Sequence, residues 1–169
     1  MRILGIDPGS GCTGYGIIET DGSQHLAILY GAIKTQPNKP FHERLLKIHA
    51  ALSELLSREK ADMMAIEEVF HATNVQSALR LGHARGVALL VAAQLRLSVY
   101  EYSPLEIKSA VVGYGRAEKT QVQAMVRLLL KLPEAPSPDD ASDALAVAIC
   151  HAHRMKHVMR CEPENVKSR

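Results

Sequence analysis

Acidic residues stand at three places in this chain where their neighbours are apolar. Asp7 ends the run Arg2-Ile3-Leu4-Gly5-Ile6, which reads as a buried strand stopping at Pro8-Gly9. Asp is a poor strand residue, and ligands of open α/β sheets bind beyond the carboxyl ends of strands. A turn-initiating Asp before Pro-Gly is the alternative. Glu67 and Glu68 end a second apolar run, Met63-Met64-Ala65-Ile66. Successive strand side chains face opposite ways, so one of the two can face Asp7, and spacing alone does not choose which. The third place is Ser137-Pro138-Asp139-Asp140-Ala141-Ser142-Asp143. With Ser137 as N-cap and Pro138 as the first helical residue, Asp140 is the third, and helix capping accounts for both Asp139 and Asp140. Capping does not account for Asp143, which shares the face of Asp140 and Val147 and is costly to bury unpaired. Carboxylates from two strand ends and one helix face are what a two-metal phosphodiesterase needs. Mg²⁺ takes hard oxygen ligands, and two ions roughly 4 Å apart stabilise both the attacking and the leaving oxygen of an in-line displacement.

The elements that must position these acids are legible from apolar periodicity. Residues 2–7, 13–19 and 26–34 read as three strands of an antiparallel meander with the first strand inside the sheet, the turn Thr20-Asp21-Gly22-Ser23 joining the last two. Pro40 opens a helix whose face carries Phe41, Leu45, Ile48, Leu52 and Leu55. Residues 63–67 form a fourth strand, a long helix runs from about Asn74 to Arg96, and 98–102 is short and extended. Two helices flank Gly113-Tyr114-Gly115, and the last helix runs from about Ser137 to about His153. The expected product is one α/β domain over residues 1–154, a mixed sheet flanked by helices, with 155–169 as a polar, flexible tail.

Bulk properties bound the functional class. The chain has 169 residues, 47% of them hydrophobic, which is enough for one compact core and too few for two full domains. A formal net charge of +2 is too small to argue nucleic-acid binding from the whole chain, so DNA affinity must come from local clusters of Lys and Arg. Three cysteines, Cys12, Cys150 and Cys161, do not make an even disulfide framework. With no signal-peptide pattern and no apolar stretch of membrane-spanning length, a cytoplasmic protein is expected.

Ile3-Leu4-Gly5-Ile6-Asp7-Pro8-Gly9-Ser10, with Thr13-Gly14-Tyr15-Gly16, resembles the opening of the RuvC-type junction resolvases. So do Ala65-Ile66-Glu67-Glu68-Val69-Phe70, Ser77-Ala78-Leu79-Arg80-Leu81-Gly82 and Ala84-Arg85-Gly86-Val87-Ala88. Ala117-Glu118-Lys119 and Asp140-Ala141-Ser142-Asp143-Ala144-Leu145-Ala146 continue the likeness, collinear from residue 2 to about 153. The resemblance implies a ribonuclease H-like fold and a homodimeric endonuclease of DNA recombination and repair. Such an enzyme cuts four-way (Holliday) junctions by paired, symmetric nicks with two Mg²⁺ ions, for which Mn²⁺ can substitute. It implies Asp7, Glu67, Asp140 and Asp143 as the metal-binding acids, choosing Glu67 over Glu68 and leaving Asp139 as a capping or surface acid. A branch-migration motor as partner and a bacterial, nucleoid-associated location are implied by the family alone.

The same resemblance places Lys108 and Lys119 near the scissile DNA, where each can neutralise a phosphate. Lys119 also starts a helix, a favourable place for an anion, and Arg116 extends the patch. Phe70 follows the fourth strand, where the family uses an aromatic against DNA bases; a hydrophobic plug is the alternative. Ala78, Gly82 and Gly86 recur at four-residue spacing, although a helical Gly costs about 1 kcal/mol relative to Ala. A helix crossing closely there is either internal or, as a two-fold-symmetric substrate suggests, the same helix of a second subunit. Cys150, His153, His157 and Cys161 mimic a zinc pattern, but spread along a helix at 1.5 Å per residue they cannot all reach one ion at about 2.0–2.3 Å. Two rivals remain: an ATP-binding protein of the actin and sugar-kinase class, which needs two domains and lacks the Asp140/Asp143 pair, and a junction-binding protein that does not cut.

Overall fold

The structure is a computed structural model describing residues 1–68 and 74–161, the last five by backbone alone. Five strands, β1 (Arg2–Asp7), β2 (Cys12–Thr20), β3 (His25–Lys34), β4 (Met63–Glu67) and β5 (Ser98–Tyr102), make one sheet in the order β3-β2-β1-β4-β5. β1 pairs antiparallel with β2 and parallel with β4, and β5 is parallel to β4. The meander and the central place of β1 are as the apolar patterns predict. Parallel pairing of β1 and β4, with Ile6 opposite Ile66, brings both strands to their carboxyl ends at the same edge of the sheet.

Period-2 alternation splits the apolar residues into two layers. Leu4, Ile6, Ile17, Met64 and Ile66 face α1 (Phe41–Arg58) and α2 (Val75–Gln94). Ile3, Ile18 and Ala65 face α3 (Pro104–Val112), α4 (Lys119–Leu129) and α5 (Asp139–Cys161). Asp7 and Glu67 continue the second set, so both point to the α3–α5 side.

Helix α5 lies directly on the sheet because glycines occupy the strand positions beneath it. A Cβ on Gly5 would stand 2.0 Å from the carbonyl oxygen of Ala144, and one on Gly14 would stand 2.0 Å from that of Asp140. The missing side chains let the helix backbone, from Asp140 to Ala148, settle against β1 and β2.

Two expectations at the ends of α5 are corrected. The first helical residue is Asp139, the Ala141 N–H donating to the Pro138 carbonyl at 2.9 Å. Asp140 is therefore the second helical residue rather than the third, and Ser137 is not the residue that opens the helix. At its other end α5 does not stop near His153; it runs to Cys161. Tertiary contacts support the extension: His153 Nδ1 donates to the Ala110 carbonyl at 2.9 Å, and Arg154 pairs with Glu106 at 2.9 Å. Among the described residues, no helix is long and apolar enough to cross a membrane.

Candidate active site

Asp7, Glu67 and Asp143 line one cavity of about 310 Å³ at the carboxyl edge of β1 and β4. Ile107 and Val122 form part of its apolar wall, and Lys108 and Lys119 are its cations. Register explains the first two acids. Asp7 and Glu67 each follow a residue of the Ile6–Ile66 pair, and they hydrogen-bond side chain to side chain. Glu68 instead continues the strand pairing, its N–H donating to the Tyr102 carbonyl at 2.9 Å. The third acid comes with α5, seated over Gly5 and Gly14.

Asp140 stands apart from the other three. It does not line the cavity; its side chain lies beside the thiol of Cys12, whose pKa burial and the Asp140 carboxylate raise to about 11. Asp140 is still close enough to act electrostatically on Asp7. Among the described residues, no three His, Cys, Asp or Glu side chains are drawn into a finished coordination shell.

The electrostatics are those of crowded, buried acids. Burial and then the neighbouring charges of Glu67 and Asp143 push Asp7 up to about 8. Burial also raises Glu67 and Asp143, against the opposing pull of Lys108 on Glu67 and of Lys119 on Asp143. Asp7 thus holds a proton at neutral pH and donates it to the Glu67 carboxylate. Asp143 is not left unpaired, as its place on an apolar face suggests: Lys119 Nζ lies 3.0 Å from Asp143 and 3.3 Å from the exposed Asp139. Burial works against the charge of Lys119, but its bonds to Asp143 and Asp139 outweigh that effect and raise its pKa. A donor set of hard oxygens, buried, mutually repelling and partly neutralised by a proton and an ammonium, fits a divalent cation.

A measurement follows from this protonation. Asp7 is protonated in the fold up to about pH 8 but ionises near 3.8 when unfolded. Its stabilising contribution is therefore complete below about pH 4 and lost as pH rises through about 8. In chelator at pH 8, Asp7→Asn should melt above the wild type, with the gap closing toward pH 4. Buried His151, lowered to about 4 by burial, has the opposite slope, losing stability as pH falls below 6.5, and cancels in this comparison. A wild type that melts no lower than the variant at pH 8 would show that the acids do not repel as described.

The remaining predicted positions fall as follows. Arg116 is exposed in the loop before α4 and is not among the cavity residues. Phe70 lies outside the described residues. Gly82 and Gly86 are exposed on α2, and a Cβ on either would meet nothing within 4 Å, so among the described residues no helix crosses there. Ala78, on the same helix, is half-buried. Of the zinc-like set, Cys150 and His153 turn toward α3 carbonyls, and the side chains of His157 and Cys161 lie outside the described ones. Sequence patterns missed Cys12 beside Asp140, and they missed Gly5 and Gly14 as the seat of α5. The recurring Gly in β1 and β2, residues with poor strand propensity, was the available signal for that seat.

A mixed sheet of this order, with clustered acids and two lysines at its carboxyl edge, defines the class of ribonuclease H-like nucleases that work with divalent metal. Comparison with known proteins narrows this. Residues 3–151 match the family described as Crossover junction endodeoxyribonuclease RuvC, and the chain belongs to that family. Relatives of that name include one from Desulforamulus reducens, 53% identical over 90% of this chain and 93% of its own. Another, from Citrifermentans bemidjiense, is 56% identical over the same shares, 90% and 93%. Among solved structures, Thermus thermophilus RuvC in complex with Holliday junction substrate superimposes with a TM-score of 0.89 at 36% identity, covering 94% of this chain and 96% of that one. The yeast mitochondrial Holliday junction resolvase, at 16% identity and a TM-score of 0.70 over 94% of this chain and 80% of that one, shares the fold.

Proposed function

We propose that this chain is a structure-selective endonuclease that resolves four-way DNA junctions, each subunit of a homodimer nicking one of two symmetric strands. The observation that carries it is the convergence of Asp7, Glu67 and Asp143 with Lys108 and Lys119 on one cavity. Likeness to a resolvase bound to a Holliday junction supports the choice of substrate. Asp7, Glu67, Asp140 and Asp143 are the proposed ligands of two Mg²⁺ ions, with Mn²⁺ as a substitute. Bound there, the ions supply Lewis-acid stabilisation of the attacking and leaving oxygens of the phosphodiester.

The chain's own groups do the rest. Asp7 must give up its proton before its carboxylate can serve as a ligand. Asp140, in the first turn of α5 and beside Cys12, would complete the set if its carboxylate turned toward Asp7. Lys119, on the first turn of α4, and Lys108 each neutralise a phosphate oxygen at the mouth of the cavity, and Arg116 extends that surface. Phe70 is proposed to contact bases next to the cut. A branch-migration motor is the proposed partner, at the nucleoid in the bacterial cytoplasm.

Incubation with a synthetic four-way junction, with and without Mg²⁺, tests this directly. Paired nicks at symmetric positions, only with Mg²⁺, are expected. Binding without cutting would favour a junction-binding protein, and ATP turnover without DNA would favour a nucleotide-binding one.

The proposed two-fold face is α2 around Ala78, Gly82 and Gly86, flanked by the exposed Leu79 and Leu90. Since a Cβ on Gly82 would meet, beyond its own helix, none of the described residues within 4 Å, Gly82→Leu should leave the protomer folded and shift its sedimentation to that of a monomer. An unchanged sedimentation coefficient would move the interface elsewhere.

A further inference from the structure

Two guanidinium groups converge on the ring of Phe41, the first residue of α1. Arg44 Cζ lies 5.7 Å from the ring centroid and Arg80 Cζ lies 6.0 Å from it. The ring is held edge-on by His83 of α2, centroid to centroid at 5.7 Å. Each cation gains from the ring's negative face, but two like charges drawn to one ring also repel each other. Helix α2 contains no acidic residue, and Glu43, the neighbour of Arg44, is engaged by Lys39 at 3.8 Å. Among the described residues, neither Arg44 nor Arg80 makes a salt bridge, whereas Arg2, Arg58, Arg85 and Arg154 each have a carboxylate partner.

Arg44 stands against the loop that follows Asp7. Arg44 Nη2 donates to the Ser10 carbonyl at 2.6 Å, and its Nε donates to Thr35 Oγ1 at 3.1 Å. Thr35 Oγ1 in turn donates to the Ser10 carbonyl at 2.7 Å. Both acceptors of Arg44 are neutral, so neither offsets the guanidinium charge, which is tied to the loop that follows Asp7. Lys108 and Lys119 belong to the α3–α4 side of the sheet edge, and Arg44 and Arg80 belong to the α1–α2 side.

We propose that Arg44 and Arg80, gathered on Phe41, form a second phosphate site that holds a non-scissile phosphodiester of the same DNA on the α1–α2 side of the cleft. It rests on the nuclease function proposed above. A DNA backbone crossing the carboxyl edge of the sheet then meets cations on both sides of the acids. Its cut phosphate lies between them, and its register is set by a contact away from the chemistry. Arg80 serves binding alone. Arg44 has a further part as a positioning residue, because it also anchors the loop behind Asp7.

The test is junction binding over a salt series with Ca²⁺ in place of Mg²⁺, together with single-turnover cleavage in Mg²⁺ at saturating protein. For exposed Arg80, Arg80→Ala should lower the slope of log affinity against log salt by about 0.9, one phosphate contact. It should weaken binding alike for junctions of different sequence. Arg44→Ala should lose the same slope and also cut more slowly at saturation. Arg44→Lys, which keeps the charge, should retain the slope. Arg58→Ala, at the far end of α1 on Glu54, should retain both and control for the mere loss of a positive charge. An unchanged slope and affinity in Arg80→Ala, with wild type binding and cutting normally, overturns the arginine site alone. Wild type that neither binds nor cuts a junction overturns the nuclease function, and this site with it.

Discussion

Asp7→Asn should bind a four-way junction as tightly as the wild type and cut it more than about 100-fold more slowly, since removing even an outer partner of a metal ligand typically costs about 10–100-fold. The substitution keeps the shape of the side chain and its contact with Glu67, so the fold is retained. It removes the group that three other acids act upon. Losing a negative charge beside a phosphate does not weaken DNA binding, which separates the ligand's role from the lysines' role. Single-turnover cleavage in Mg²⁺ and gel-shift titration in Ca²⁺ provide the two readouts. Asp139→Asn is the internal comparison, because Asp139 is exposed and stands outside the cavity; its cleavage should stay near wild type. An Asp7→Asn protein that cuts at the normal rate would remove the foundation of the proposed site.

Gly5→Ala should cost about 3 kcal/mol of stability or more, at or above the upper end of the usual penalty for overpacking. The added methyl would stand 2.0 Å from the Ala144 carbonyl oxygen and 2.8 Å from the Ala148 nitrogen, both backbone atoms of a buried helix that cannot rotate aside. Either the protein unfolds at a much lower temperature or α5 lifts from the sheet. A lifted helix carries Asp140 and Asp143 away from Asp7 and Glu67, so cleavage falls in both cases. Gly82→Ala provides the contrast. Its methyl meets no atom within 4 Å, and helix propensity favours Ala by about 1 kcal/mol. Thermal unfolding of the two variants tests the difference, and a Gly5→Ala protein with wild-type melting and cleavage would show that Gly5 does not set the distance between helix and sheet.

Much of this molecule is written locally. The alternation in β1, β2 and β3, the helical stripe of α1 and the turn at Asp21-Gly22 lie within a few residues of the atoms they organise. The sequence alone therefore determined the element order, the meander and the strand-end place of Asp7. It could not choose between Glu67 and Glu68 by spacing, because alternation fixes opposite faces without saying which face meets Asp7. The family likeness chose Glu67; the physical basis is the parallel register of β1 on β4, a pairing between residues 60 apart. Tertiary structure alone decided that α5 rests on Gly5 and Gly14, that Lys119 meets Asp143, that Asp140 turns to Cys12, and that α5 continues past His153 on contacts with α3. In each case the partner is distant along the chain, and only the packing of helix on sheet, a collective result of burying both apolar faces, brings the groups within reach of one another.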